Sequence, residues 1–454
     1  MLAQNEMKNK AQFRWPFLYK VLYTYASLVH RLYYKRFTVI GVEKIPENAP
    51  VIFAPNHQNA LMDALAVLFA SSKKIAFLAR ADIFKKPLLA KILNSLRMMP
   101  VFRIRDGFES LGQNQEIFDT TVNVLKSNIP LCILPEGNHE GEKRLRPLKK
   151  GIFRIAFQAE ESAEFKLNLH IIPVGLDYSN YFNAGSDLLV VFGKPIRVAD
   201  YSERFKANEQ KTINTLRNEL AEEMRNVMIH IPEDHYKVIF QMSEMYESSV
   251  WNTNKTNRHP YNKFTIKQYI VQKATDAFSL YPDKAIALGN TISAYNDRLK
   301  KYGLIDKLLQ QKRPRFFSLF TGILLTILLM PIHIYGMLLN YLPYKIPVWA
   351  AANIKDQHFK GSIHFGISLL LFPLYYLIVI SAFCFLTEKT IIKVFFALSI
   401  PLSGFFTFYN YRNLKKLLGR LRLFRLKLSS PADYKSLKND RTQIIDQIKS
   451  TINS

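Results

Sequence analysis

Three stretches of nearly unbroken apolar character occupy the last third of the chain: Phe316–Leu342, Ile363–Leu386 and Val394–Tyr411. Each approaches or exceeds the ~20 residues that cross a hydrocarbon core. Pro331 with His333, and Pro401 with Gly404, interrupt the first and third. The pattern predicts membrane insertion of at least two of the three.

Nearer the N-terminus the apolar positions come in short runs bounded by turn residues. VIFAPN (51–56), IAFLAR (75–80), MPVFRI (99–104), PLCILP (130–135) and LHIIPVGL (169–176) have the length and composition of buried strands. Between them, 59–70, 86–96, 109–126 and 151–161 have helical patterning. The alternation predicts an α/β domain with a largely parallel central sheet over residues 38–200. Such sheets bind ligands beyond the carboxyl ends of their strands.

The flanks differ. Trp15 to Phe37 holds eight aromatics, four basic residues and no acid, within an N-terminal region 1–37. That mixture suits a helix lying in a membrane interface. Residues 201–312 form a helical region without a site motif. In 313–428 the apolar segments are followed by RNLKKLLGRLRLFRLKL (412–428), with seven basic residues and no acid, which fits a helix on an anionic leaflet. Residues 429–454 have the composition of a polar tail.

Charge sharpens this division. Lys and Arg number 62 against 36 Asp and Glu, a formal net charge of +26. An anionic partner follows: nucleic acid, lipid headgroups or an acidic substrate. Basic clusters beside apolar segments, without a nucleic-acid motif, favour membrane lipids and exclude nucleic acid. Two cysteines, Cys132 and Cys384, supply neither a disulfide framework nor a zinc cluster, and no metal site is expected. The first residues lack the apolar core of a signal peptide. The expectation is an integral membrane protein whose α/β domain faces the cytoplasm.

Four blocks carry candidate chemistry, all at predicted strand ends. In APNHQNALMDAL, His57 follows a strand and Asp63 lies in the next helix. A turn folding back over that helix would let the carboxylate fix the imidazole tautomer, leaving the other nitrogen as a general base. In MPVFRIRDG, Arg103 and Arg105 share a strand face and offer donor forks matched to phosphate. In CILPEGNHEGEKRLRPLKKG, an abrupt exit at Pro135, Glu136 and Gly137 precedes Lys143, Arg144, Arg146, Lys149 and Lys150, next to a helix start that could hold an anion. The fourth, HIIPVGLDY, is a strand whose Pro173 suits an edge or a strand end. Alone, each block also fits capping, surface ion pairs or a solvated loop.

In this order the blocks resemble the glycerophosphate acyltransferase superfamily. Its His and Asp, four or five residues apart, are matched by His57 and Asp63; its Arg after an apolar strand by Arg105; its Pro-Glu-Gly by Pro135, Glu136 and Gly137; its strand with a central Pro by Pro173. The five-residue gap, KKGIFRIAFQA and the apolar C-terminal extension look most like the glycerol-3-phosphate acyltransferase branch. Many relatives follow Pro-Glu-Gly with Thr-Arg or Ser-Arg. Here Asn138 and His139 stand instead, which makes Arg144, Arg146 and Lys150 the substitute phosphate ligands.

The resemblance implies an α/β acyltransferase domain followed by a helical region and transmembrane helices. It implies transfer of a fatty acyl group from an acyl thioester to a hydroxyl of glycerol 3-phosphate, feeding phosphatidate and phospholipid synthesis. His57 and Asp63 would be catalytic; Arg103, Arg105, Glu136, Gly137, Arg144, Arg146 and Lys150 would bind substrate. No cofactor is needed, acyl-CoA or an acyl carrier protein being the donor co-substrate. The alternatives are a 1-acylglycerol-3-phosphate (lysophosphatidate) acyltransferase and, in another class, a non-catalytic lipid-binding membrane protein. By the positive-inside rule, KRPR (312–315) and the basic cluster after the third segment belong on one side, which predicts an even number of crossings.

Overall fold

The computed structural model describes residues 17–84, 87, 98–101, 110–253, 259–310, 316–354, 356–357 and 359–453. Its contacts divide the chain into two compact units, Met1–His230 with Asp356–Ser362, and Ile231–Lys355 with Ile363–Ser454.

In the first unit the elements run α1 (Phe17–Tyr33), β1 (Arg36–Ile40), β2 (Val51–Pro55), α2 (Ala60–Ser71), β3 (Ala76–Arg80), β4 (Met98–Val101), α3 (Ser110–Lys126), β5 (Leu131–Cys132), α4 (Gly151–Glu161), β6 (His170–Tyr178), β7 (Asp187–Phe192), β8 (Ile196–Arg197), α5 (Ser202–Ala207) and α6 (Glu209–Val227). Among the described residues the strands form one sheet in the order β1-β7-β6-β2-β5-β3-β4, with β8 on β6. β2 lies between β5 and β6 and is parallel to both, Ile52 facing Leu131 and Ile171. β3 is parallel to β5 and β4, whereas β7 runs antiparallel to β6. The sheet is thus mostly parallel, as the alternation predicted, and the carboxyl ends of β2, β5 and β6 share one edge.

All five predicted strands are present, β5 being cut to two residues. β1, β7 and β8 are additional. The helices at 60–71, 110–126 and 151–161 follow their predicted spans, while the one expected over 86–96 falls almost wholly outside the described residues. β2 has no polar face: Val51, Ile52, Phe53 and Ala54 are fully buried because helices cover both sides of a parallel sheet. Ile152, Phe153 and Phe157 of α4 and Leu216, Leu220 and Met224 of α6 pack into the same core. Each such side chain stabilises the fold by roughly 1.5–3 kcal/mol relative to exposure.

Pro173 is neither at an edge nor at a strand end, contrary to the expectation. It sits inside β6 where the neighbour changes from β8, paired at Ile171, to β7, paired from Val174. Its missing N–H falls in the gap between two partners, so no ladder bond is lost. Two residues on, Gly175 touches α6 so closely that a Cβ would stand 1.6 Å from the Val227 carbonyl oxygen.

Helix α1 buries His30 against the rings of Tyr34, Phe37 and Phe69, while Phe17, Val21, Leu22, Leu28 and Leu32 stay exposed. Burial, with Arg31 adjacent, drives the His30 pKa down to about 3.

The second unit contains helices Tyr236–Thr253, Pro260–Leu280 and Pro282–Lys301, then three long apolar helices, Phe316–Ala352, Phe359–Cys384 (from Ile363 on) and Thr390–Ser429, and finally Pro431–Asn453. By length and composition all three apolar helices suffice to cross a membrane. Their prolines, including Pro331 and Pro401, lie inside the helices and end none of them. The basic stretch 412–428 is the far end of the third helix, whose 40 residues extend about 60 Å. The last helix carries an apolar face. Leu437, Ile444 and Ile448 form a fully buried stripe, and Arg441 bonds Asp306 at 2.8 Å.

Candidate active site

The turn between β2 and α2 is built from hydrogen bonds that the strand order makes available. Asn56 continues the β2–β6 ladder with its side chain, donating to the Leu176 carbonyl at 3.2 Å and accepting from the Leu176 N–H at 2.7 Å. The chain then swings away, and Ala60 enters the helix at φ 43°, a left-handed conformation that strains an alanine. This swing folds His57 back over α2.

Asp63, in the first turn of α2, has no exposed surface. Its Oδ2 accepts from the N–H groups of Gln58 and Asn59, at 2.8 and 2.7 Å, and bonds His57 Nδ1 at 2.9 Å. Its Oδ1 accepts from the Tyr178 hydroxyl at 2.8 Å. Burying a carboxylate costs several kcal/mol, and four donors of this kind offset the cost. They also lock the acid in place. With Nδ1 facing a carboxylate, the tautomer of a neutral His57 that fits has its proton on Nδ1 and the lone pair on Nε2. The His57 side chain is 14% exposed, and among the described residues nothing bonds Nε2.

Behind His57 lies Glu136, buried after the short strand β5. Its Oε1 accepts the His57 N–H at 2.8 Å, and its Oε2 accepts Arg146 Nε at 2.9 Å. Burial raises its pKa, and these donors pull it back. Gly137 makes the turn possible at φ 75°, and a Cβ there would press on Lys149 at 3.3 Å. Arg146 also reaches the His57 carbonyl at 3.4 Å.

The structure therefore brings together His57, Asp63, Glu136 and Arg146, with Gly137 shaping the exit. Both Glu136 oxygens face protein donors. The basic run is sorted. Lys143 is buried on Asp177, and Arg144 pairs with Glu142 at 3.3 Å. Lys149 is exposed and Lys150, half-buried, starts α4; neither makes an ion pair among the described residues. Arg103 and Arg105 lie outside the described residues.

Sequence reasoning missed three contributors. Tyr178 ends the fourth block, and only strand order reveals that it meets Asp63. His139 packs its ring 5.2 Å from that of His57, edge to face. Its Nε2 bonds Asp356 Oδ2 at 2.7 Å, from a segment distant in sequence. Cys132 is fully buried and its thiol pKa is pushed up by burial, so it offers no nucleophile.

Among curated proteins the chain is similar to the chloroplastic 1-acyl-sn-glycerol-3-phosphate acyltransferase BAT2 of Brassica napus. The two are 23% identical over 220 residues, 48% of this chain and 58% of the relative. It is also similar to acl-2 of Caenorhabditis elegans, which carries the same activity name, at 27% identity over 156 residues, 32% of this chain and 48% of the relative. The chain thus spans about half the length of the curated relatives it matches. A crystal structure of the 1-acyl-sn-glycerophosphate acyltransferase PlsC from Thermotoga maritima aligns with 45% of this chain and 79% of its own, at TM-score 0.33 and 18% identity. Residues 36–177, the stretch that holds His57, Asp63, Glu136, Gly137 and Arg146, match the family model described as Acyltransferase.

Proposed function

We propose that this chain transfers an acyl group from an acyl thioester to a hydroxyl of a glycerophosphate, with 1-acylglycerol 3-phosphate as the acceptor. The observation that carries the reading is the His57–Asp63 pair, with Asp63 buried and held by four donors. A lipid-binding protein without catalysis has no use for so costly an arrangement. The acylated acceptor is preferred because both curated relatives are named for it, and because three helices able to cross a membrane suit a lipid substrate.

An acceptor hydroxyl is a poor nucleophile at neutral pH, since its proton must leave as the new C–O bond forms. His57 Nε2 takes that proton while Asp63 stabilises the imidazolium, which contributes about 10²–10⁴-fold. The alkoxide oxygen attacks the thioester carbonyl, the C–S bond breaks, and the thiolate leaves with the proton returned by His57. Direct attack needs no acyl-enzyme. Arg146, with Lys149 and Lys150 beside the start of α4, would hold the acceptor phosphate. Glu136 sets the His57 backbone and Arg146 rather than touching substrate. The positive balance of the chain suits either donor, acyl-CoA or acyl carrier protein.

The test is acyl transfer by isolated membranes, offering glycerol 3-phosphate and its 1-acyl derivative with each donor. Preferential consumption of the 1-acyl derivative is expected, and its loss in a His57→Ala variant that still reaches the membrane. Preference for glycerol 3-phosphate would favour the branch that the apolar extension resembles. Transfer by His57→Ala at the wild-type rate would end the mechanism.

A further inference from the structure

The segment Asp356–Ser362 leads into the second apolar helix and includes its first turn, yet it belongs to the same compact unit as the His57 turn. Its anchors all land on residues that flank the His57–Asp63 pair. Ser362 Oγ accepts the Leu61 N–H at 3.1 Å. That donor belongs to the first turn of α2, whose N-cap Asn59 supplies no side-chain bond, so Ser362 caps the helix from outside. Gly361 approaches Asn59 and Tyr181, and a Cβ there would stand 2.9 Å from the Tyr181 carbonyl oxygen. At the other end Asp356 holds His139, and the Phe359 ring lies 5.9 Å from the His139 ring.

We propose that His139 and Asp356 form a positioning pair for the general base, which makes the chain between the first two apolar helices a working part of the acyltransfer site. This rests on the acyltransfer reading above. One hydrogen bond, His57 Nδ1 to Asp63, lets the imidazole swing about its axis. The edge-to-face contact with His139 sets the ring plane and hence the direction of Nε2. His139 follows the Glu136–Gly137 turn in a loop, and only a fixed loop can impose a plane. Asp356 supplies that fixation. A carboxylate can only accept, so the pair puts the His139 proton on Nε2. Burial and the proximity of His57 lower the His139 pKa, against the pull of Asp356. A neutral second ring matters because the base becomes cationic as it works, and a cation beside it would oppose proton transfer.

The test uses the full-length protein in membranes, with initial rates measured over both substrates. Asp356→Asn and His139→Ala are each expected to lower kcat about tenfold while KM for donor and acceptor changes less than about threefold, the signature of misplaced geometry. His139→Phe, which keeps a ring against His57, should recover part of the loss. Gly361→Leu, which displaces the segment without touching either ring, should reproduce the Asp356→Asn effect. The double variant His139→Ala with Asp356→Asn should lose no more than His139→Ala alone. An active wild type with unchanged kcat in Asp356→Asn and Gly361→Leu overturns this inference alone. So does a loss spread equally over kcat and both KM values, or an amount of folded protein that falls in step with the rate. A wild type inactive with every thioester overturns the acyltransfer reading and this inference with it.

Discussion

The Glu136 carboxylate accepts the backbone N–H of His57 at 2.8 Å, so the third sequence block holds the first by its main chain. The same carboxylate takes Arg146, and one buried acid thereby sets the spacing between His57 and the Arg146 guanidinium. Glu136→Gln keeps the shape but loses the charge-assisted bonds, each worth about 1.5–3 kcal/mol. A fall in kcat/KM of roughly 10–100-fold is expected, with the chain still folded. Steady-state kinetics beside a thermal melt would separate the two; a variant that melts early but turns over normally when folded would contradict the role.

Asp63→Asn removes an acceptor that four donors share and presents an amide where His57 needs a carboxylate. A loss of about 10³–10⁴ in kcat is expected, by comparison with what an Asp→Asn change does in a serine-protease triad. Tyr178→Phe, which unpairs only Oδ1, should cost about tenfold. The order of severity is the test, and equal effects would mean that the Tyr178 hydroxyl does not steer Asp63.

His30 titrates far below its ordinary range, at about 3, because α1 buries it. Its folded pKa lies below its unfolded one, so the unfolded chain binds more protons between roughly pH 6.5 and 3 and the helix loses stability as pH falls through that window. Hydrogen exchange of residues 17–33 should quicken on acidification. In His30→Phe, which keeps a ring against Phe69, the acid step should shrink while other acid effects persist. Persistence of the full step would assign it to another group.

Asn340 ties the apolar helices together. It donates to the carbonyls of Gly336 and Ile400, at 2.9 and 3.2 Å, and accepts the Tyr376 hydroxyl at 2.6 Å. Bonds of this kind are worth about 0.6–1.7 kcal/mol in membranes. Asn340→Ala should lower the melting temperature of the detergent-extracted protein by more than Tyr376→Phe does. No shift in either would show that packing of Gly336 against Ser403 suffices.

The legible part of this chain was local. β2, β3 and β6 announced themselves as short apolar runs, and the His57–Asp63 spacing set both residues at one helix start. What stayed hidden depends on residues far apart in sequence. Tyr178 meets Asp63 across 115 positions because β6 lies beside β2, an adjacency that no local pattern encodes. Asp356 meets His139 across 217. β1 is half-buried throughout and is completed by a parallel partner, β7, from the far end of the domain, so neither had a hairpin signal. The last helix hid its buried stripe among charges, because isoleucines at 444 and 448 look sparse until the facing helix is known.

A hydrogen bond of 2.7 Å cannot reach through a hydrocarbon slab about 30 Å thick, and the one from His139 to Asp356 therefore limits how the chain can thread. Residue 139 precedes the first apolar helix and residue 356 follows it, so these two residues share one aqueous compartment. With the basic flanks 312–315 and 412–428 kept on one side, the number of passages is expected to be even. Single cysteines at Ser162, Glu388 and Ser450, in a Cys132→Ala, Cys384→Ala background, would report the path. An impermeant reagent on intact cells should treat Ser162→Cys and Ser450→Cys alike, whereas labelling of Ser450→Cys with Ser162→Cys protected would mean an odd number of passages, and Glu388→Cys reports the side reached between the last two apolar helices.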